Sequence, residues 1–444
     1  MRTMNGQATL TNLCLFLLAL GSAPARAQFT VGGQVLQRSE FRNGYGRLID
    51  DTTQTPAFFI GHRARIHALY QHEKVRFHVS VQDVRPWGST EQGKAADDFL
   101  SVHEAWGELI FNQQWNLKLG RQELAYDGNR FLGGADWALP GRAHDFALLR
   151  YEKGKTKVHA GGGYNVAAES LTDQPYTVPK QYKTAQMLRL EQQWGAFTVS
   201  AFLWNNGLEQ QQLDSLGEVT KRTMRYSQTI GLPTIKYERK RFMANAYGYF
   251  QVGQDRSGND MQAYDASAWV TYTVPMDTTK GSAFRMTLGA EVLSGTAQDA
   301  TDKVNRSYAP LYGTAHAFNG YMDHFYVDGR WGNSVGLTDI FLRLRYDIDK
   351  RTLLSMNLHE FQAAADVIKN GERLDPRLGN EVDLSVVHLL NDVVALQFGY
   401  SQLFATGTLE HMEGVTDPAA LQNWAYAAMY YRPGMKSRYA GLVF

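Results

Sequence analysis

From Val75 to Gln82 the chain reads VRFHVSVQ. Val75, Phe77, Val79 and Val81 fall on one side of the repeat, and Arg76, His78, Ser80 and Gln82 on the other. A period of two with one apolar side marks a strand whose two faces meet different surroundings. The alternation returns along the chain. Leu354, Met356 and Leu358 interleave with Ser355, Asn357 and His359, and Val394, Leu396, Phe398 and Tyr400 with Ala395, Gln397, Gly399 and Ser401. Ile340, Leu342, Leu344 and Tyr346 interleave with Asp339, Phe341, Arg343 and Arg345. The connections carry a second pattern. Short polar turns stand at 72–74, 112–114, 152–155, 238–241, 347–351 and 390–392. Long segments stand at 85–101, 122–144, 164–184, 206–224, 296–336, 363–380 and 403–423. Short and long alternate, which a soluble sandwich has no reason to do. The pattern predicts an all-β transmembrane antiparallel barrel of about 18 strands (16–18), with short periplasmic turns and long extracellular loops.

In lipid every backbone N–H and C=O must find a partner within the protein, so the sheet must close on itself. The apolar side of each repeat then faces lipid and the polar side faces the lumen, which at this strand number is expected to hold water. Inward basic positions are Arg63, Arg65, His67, Arg76, His78, Lys118, Lys157, His159, Arg189, Arg343, Arg345 and His359. Inward acidic positions include Glu104, Glu108, Glu191, Glu291, Asp339 and Asp383. Arg and Lys prevail modestly, and rings of such residues favour anions. The alternative is a mixed wall whose charges pair for stability and select weakly.

The N-terminus sets the compartment. Arg2, the apolar run Leu13–Leu20 and Ala25-Arg26-Ala27 have the order of a secretory signal peptide, so residues 1–27 are expected to be removed. The apolar run is far shorter than the roughly 20 residues that span a bilayer. The only cysteine, Cys14, lies within that segment, which leaves no disulfide framework or thiolate metal site. Of 45 Lys and Arg, two precede residue 28, so the remainder balances 43 basic against 44 acidic residues. That balance gives no support to a nucleic-acid partner. No linker interrupts residues 28–444, which read as one barrel domain. Its last strand is either 424–431 or 436–444, and the outer membrane of a Gram-negative cell is the expected location.

The loop between two strands at Gly120–Phe146, GRQELAYDGNRFLGGADWALPGRAHDF, is too rich in glycine for a helix and too charged for an ordinary core. Gly120, Arg121, Gln122, Leu124, Tyr126, Asp127, Arg130, Gly133, Trp137, Gly141, Arg142 and Asp145 together resemble a signature of the alginate export family of outer-membrane β-barrels. A second segment, YAPLYGTAHAFNGYMDHF, is similar to the same family's pattern at His316, Gly320, Tyr321, Met322 and Asp323, and a third spans Gly379–Ser401. The resemblance implies an 18-stranded barrel and a basic conduit for an anionic uronate polysaccharide or oligosaccharide, gated by inward loops. It implies that Arg121, Arg130 and Arg142 form the constriction, with Asp127, Asp136 and Asp145 as counter-charges. A latch between loop and wall is the alternative role for each.

Three function classes follow. The first is a passive channel for anionic sugars, the second a general, weakly selective porin. An outer-membrane hydrolase would need a nucleophile and base at the barrel edge. His316, Asp323 and Ser307 share one loop, but there is no G-x-S-x-G motif and no metal-ligand cluster, so neither an enzyme nor a cofactor is expected. The expected partners are an anionic saccharide solute and outer-membrane lipid.

Overall fold

The structure, a computed structural model, describes residues 28–433 apart from 51–52, 94–98, 175, 177, 179–180, 217–218 and 327–333. The signal segment 1–27 and the tail 436–444 lie outside the described residues. Among the described residues eighteen strands form the wall. They are β1 (Gln28–Asn43), β2 (Ala57–Gln71), β3 (Val75–Pro86), β4 (Leu100–Ile110), β5 (Trp115–Gln122), β6 (His144–Lys153), β7 (Thr156–Tyr164), β8 (Thr184–Trp194) and β9 (Phe197–Leu213). Then come β10 (Val219–Arg239), β11 (Phe242–Gln254), β12 (Asp260–Asp277), β13 (Ser282–Leu293), β14 (Leu337–Asp347), β15 (Thr352–Gln362), β16 (Arg377–Leu389), β17 (Val394–Ala405) and β18 (Gln422–Tyr431).

Each strand pairs antiparallel with the next, and β18 also pairs with β1, Val35 opposite Tyr431 and Asn43 opposite Asn423. The sheet therefore closes and leaves no unpaired edge, as a span through hydrocarbon demands. The polarity is inverted relative to a soluble protein. Phe77, Leu119, Leu190, Leu288, Ile340 and Phe398 are exposed, whereas Arg63, Gln82, Glu108, Arg189, Asp339 and Glu381 are buried. This is the alternation expected of the sequence, with lipid as the solvent outside.

Turns and loops segregate to opposite ends, with two corrections. The segment expected as a loop at 206–224 is mostly strand. β9 runs to Leu213 and β10 starts at Val219, pairing Leu208 with Arg225 and Glu209 with Met224. Both faces are polar there, so the repeat of two disappears while the ladder continues. The loop-side connection 255–259 is also short, so long and short connections do not alternate strictly. Pro233, which lacks an N–H, is absorbed by a shift of register between Gly231 and Thr234.

The largest departure is inside. The barrel was expected to hold water, but the third loop (123–143) and the seventh (294–336) fold inward and build an apolar core. Phe131 packs its ring against Phe202, Trp204, Tyr249 and Tyr312 at centroid distances of 5.4, 6.2, 6.2 and 6.3 Å. Leu124, Leu132, Tyr308 and Met322 are buried in the same cluster. The wall makes room for these rings. A Cβ on Gly399 of β17 would stand 2.0 Å from the ring of Tyr426. Gly399→Ala should therefore displace Tyr426 and cost roughly 1–3 kcal/mol, seen as a lower temperature for loss of the folded band on unboiled gels.

Candidate functional site

The plug is built from short latches that reach different parts of the wall. Asp127 accepts hydrogen bonds from Arg189 of β8 (2.8 Å) and Ser200 of β9 (2.8 Å). The fully buried Arg130 lies between two carboxylates, Asp265 of β12 at 3.0 Å and Glu291 of β13 at 2.9 Å. Asp136 faces Arg63 and Arg65 of β2 at 3.0 and 3.6 Å, and Arg432 at 3.7 Å. β2 and β12 stand on nearly opposite sides of the ring, so the third loop crosses the whole lumen. The glycines make this crossing feasible. Asp127, Gly128 and Asn129 all have φ between 47° and 73°, a conformation in which glycine and asparagine are the cheapest residues.

The seventh loop lies against the third. Gly133 donates to the Tyr312 carbonyl (3.0 Å) and Thr314 to the Asn129 carbonyl (2.9 Å). Gly313 passes so close that a Cβ would meet the Arg130 carbonyl at 2.0 Å. The H-x-x-x-G-Y-M-D segment is a second latch. His316 bonds Asp323 at 2.7 Å and stacks on Trp137 at 4.6 Å; Tyr321 stacks on the other side of His316 at 5.2 Å. Asp323 also accepts from Tyr45. Gly320, with φ of 80°, sits where a Cβ would strike the Glu381 carboxylate, which accepts the Met322 N–H at 2.8 Å. These residues hold the plug to the wall.

Several positions expected at the constriction lie elsewhere. Arg130 and Arg189 are buried and paired with carboxylates, so they act as struts. Arg121 and Asp145 pair at 3.2 Å on the strand face shared with Leu119, at the rim and not in the lumen. A bulky loop cannot bring them in, because strand alternation fixes which way they point. Toward the turn end, Arg76 pairs with Glu108 (3.1 Å), Lys118 lies 3.8 Å over the Trp106 ring and Arg345 pairs with Asp347 (2.9 Å). Arg343 donates to the Phe318 carbonyl at 3.3 Å and so also holds the plug.

Arg142 is different. Its guanidinium donates to the carbonyls of Tyr312 and Gly313 (2.7 Å for the latter), and no carboxylate among the described residues pairs with it. Burial lowers its pKa from the ordinary arginine value, yet an arginine remains cationic at neutral pH. Arg142 lines a loop-side cavity of about 1250 Å³. The same lining includes Arg38, Arg42, Arg47 and Arg256 against Glu40 and Asp323. Glu40 is shared by Arg38 (2.7 Å) and Arg42 (2.9 Å), so one acid offsets two bases. Arg85 and Arg121 also border the cavity, each paired with an aspartate. Among the described residues no carboxylate pairs with Arg47, Arg142 or Arg256. The vestibule is therefore a positive space.

Sequence reasoning missed Arg38, Glu40 and Arg42, although their repeat of two at the loop end of β1 was available as a signal. Arg47 and Arg256 lie in irregular loops and carried none. Arg432, beyond the last strand, joins the Asp136 cluster only through the folded plug.

A closed antiparallel ring of eighteen strands, polar within and apolar without, can be compared with solved structures. OccAB4 of Acinetobacter baumannii superposes with a TM-score of 0.59 at 11% identity, over 92% of this chain and 99% of that one. OccK9 (OpdG) of Pseudomonas aeruginosa gives 0.56 at 13% identity, over 90% and 98%. OpdK of Pseudomonas aeruginosa, solved with vanillate, gives 0.54 at 11% identity, over 90% and 98%. The fold is that of outer-membrane porins. No family model matches the chain, and no curated protein does. With the porin fold established, the turn end of the barrel is the periplasmic end and the loop end faces outward.

Proposed function

We propose that this barrel is an outer-membrane channel for small anionic sugars, uronate oligosaccharides among them. The observation that carries the reading is the positive vestibule, a cavity of about 1250 Å³ lined by Arg142, whose guanidinium is held by the backbone carbonyls of Tyr312 and Gly313 and by no described carboxylate. Guanidinium groups bind carboxylates through paired hydrogen bonds, and a low-dielectric wall strengthens the attraction. Below it, Arg63, Arg65 and Arg432 surround the single carboxylate of Asp136. The route we propose runs from the vestibule past Arg142 to this second positive cluster and then to the periplasmic half of the lumen.

The packed plug bears on solute size. The ring cluster around Phe131 and the Arg130 strut occupy the lumen, so a short oligomer fits the reading better than a long polymer threading continuously. The resemblance to the alginate export motif supports uronates as the sugar class. It falls on the plug segments, where Gly133, Trp137 and Gly320 make the close packing feasible.

Single-channel recordings in planar bilayers test this. Uronate di- and trisaccharides should block the current transiently from the outer side, and neutral oligomers of equal length should not. Equal block by both, together with no preference between anions and cations, would support a general porin instead.

A further inference from the structure

The lipid-facing wall carries a second feature, at the periplasmic edge between β8 and β11. Strand alternation places Trp194, Phe197, Tyr237 and Phe242 on the outward face. Phe197 and Tyr237 lie 4.8 Å apart and Tyr237 and Phe242 5.9 Å apart, so the rings make one continuous platform. Trp194, Phe197 and Phe242 are exposed. Aromatic residues gather at membrane interfaces because one side of each ring is apolar while its rim tolerates water.

The turn beside the platform is Arg239-Lys240-Arg241. The acid that precedes it, Glu238, belongs to the inward set and is held by Lys236 at 2.8 Å. No ion pair engages Arg239, Lys240 or Arg241 among the described residues. Other periplasmic turns mix their charges: Asp347 and Asp349 accompany Lys350 and Arg351, and Glu152 accompanies Lys153 and Lys155. The adjoining connection between β8 and β9 is only Gly195-Ala196, with Gly195 at φ 57°. The small turn leaves a shallow hollow lined by Trp194, Phe197, Tyr237, Arg239, Lys240 and Phe242.

We propose that this hollow binds an anionic glycerophospholipid of the periplasmic leaflet. The acyl chains lie on the aromatic platform and the headgroup phosphate meets Arg239 and Lys240, which line the hollow, with Arg241 next to them in the turn. Charge complementarity selects this occupant over a zwitterionic lipid, whose headgroup amine would face the same cations. The site is independent of the solute reading, since it lies outside the lumen.

The test uses the full barrel in mixed vesicles of phosphatidylglycerol and phosphatidylethanolamine at equal proportions, followed by native mass spectrometry of retained lipid. The wild type should retain phosphatidylglycerol over phosphatidylethanolamine at least tenfold, because each basic residue near an anionic lipid contributes roughly fivefold in affinity. The triple variant R239Q/K240Q/R241Q should lose that preference, and K350Q/R351Q at another turn should keep it. Raising salt to 0.5 M should weaken the wild-type preference without unfolding the barrel. Equal retention of both lipids by the wild type overturns the proposal, as does an unchanged preference in the triple variant or at high salt. Should the triple variant fail to fold, the salt series on the wild type decides alone.

Discussion

Arg130→Ala should turn a quiet, narrow conductance into a larger and fluctuating one. The substitution leaves Asp265 and Glu291 facing each other inside the barrel with no cation between them. Removing one partner from a buried ionic cluster typically costs about 3–5 kcal/mol, because the remaining charges stay desolvated. The eighteen-strand wall has its own backbone ladder and does not depend on this strut. The cost therefore falls on the plug, which should detach from β12 and β13 while the barrel persists. Planar-bilayer recording reads the effect as higher mean conductance with open-state noise, and limited proteolysis reads it as new cleavage within 123–143. Adding Asp265→Asn and Glu291→Gln to the same chain should restore much of the quiet state, since no buried charge is then left over. Unaltered conductance and protection in Arg130→Ala would mean that ring packing around Phe131 alone holds the plug.

Arg142→Gln should reduce the preference for anions without loosening the plug. Glutamine keeps an amide donor for the carbonyls of Tyr312 and Gly313, which Arg142 now serves, but removes the charge. A unit charge 4 Å from a permeating ion contributes about 1 kcal/mol even at the dielectric constant of water, so the stabilisation of a passing anion should fall roughly fivefold and the anion-to-cation permeability ratio should fall by at least that factor. Zero-current potentials in a salt gradient measure it. The same loss should appear as weaker block by uronate oligomers. A variant whose reversal potential is unchanged would place selectivity elsewhere, with the arginines around Asp136 as the next candidates.

The wall was legible in the sequence because lipid outside and polar groups within write a repeat of two into every strand, as in Val75–Gln82. Within 206–224, where the extensions of β9 and β10 are polar on both faces, the repeat vanishes and the local pattern reads as loop. Arg63 and Arg189 were correctly placed inward by alternation. Their partners were not, because Asp127 and Asp136 reach them across the lumen by tertiary folding that no local period encodes. Arg130 shows the limit most clearly. In sequence it is one charge in a glycine-rich loop, and only the inward fold reveals that Asp265 and Glu291 neutralise it. The apolar members of the same loop, Leu124, Phe131, Leu132 and Trp137, were the available clue that it is buried. An exposed loop has no reason to carry four large apolar side chains.

The third loop anchors to β2 through Asp136, to β8 and β9 through Asp127, and to β12 and β13 through Arg130. Those anchors are far apart along the chain, and their ring positions do not exist until β18 has met β1. Contacts of such long sequence separation form late. Resistance of 123–143 to protease is thus a timekeeper for assembly: it should arise only after the cylinder has been sealed.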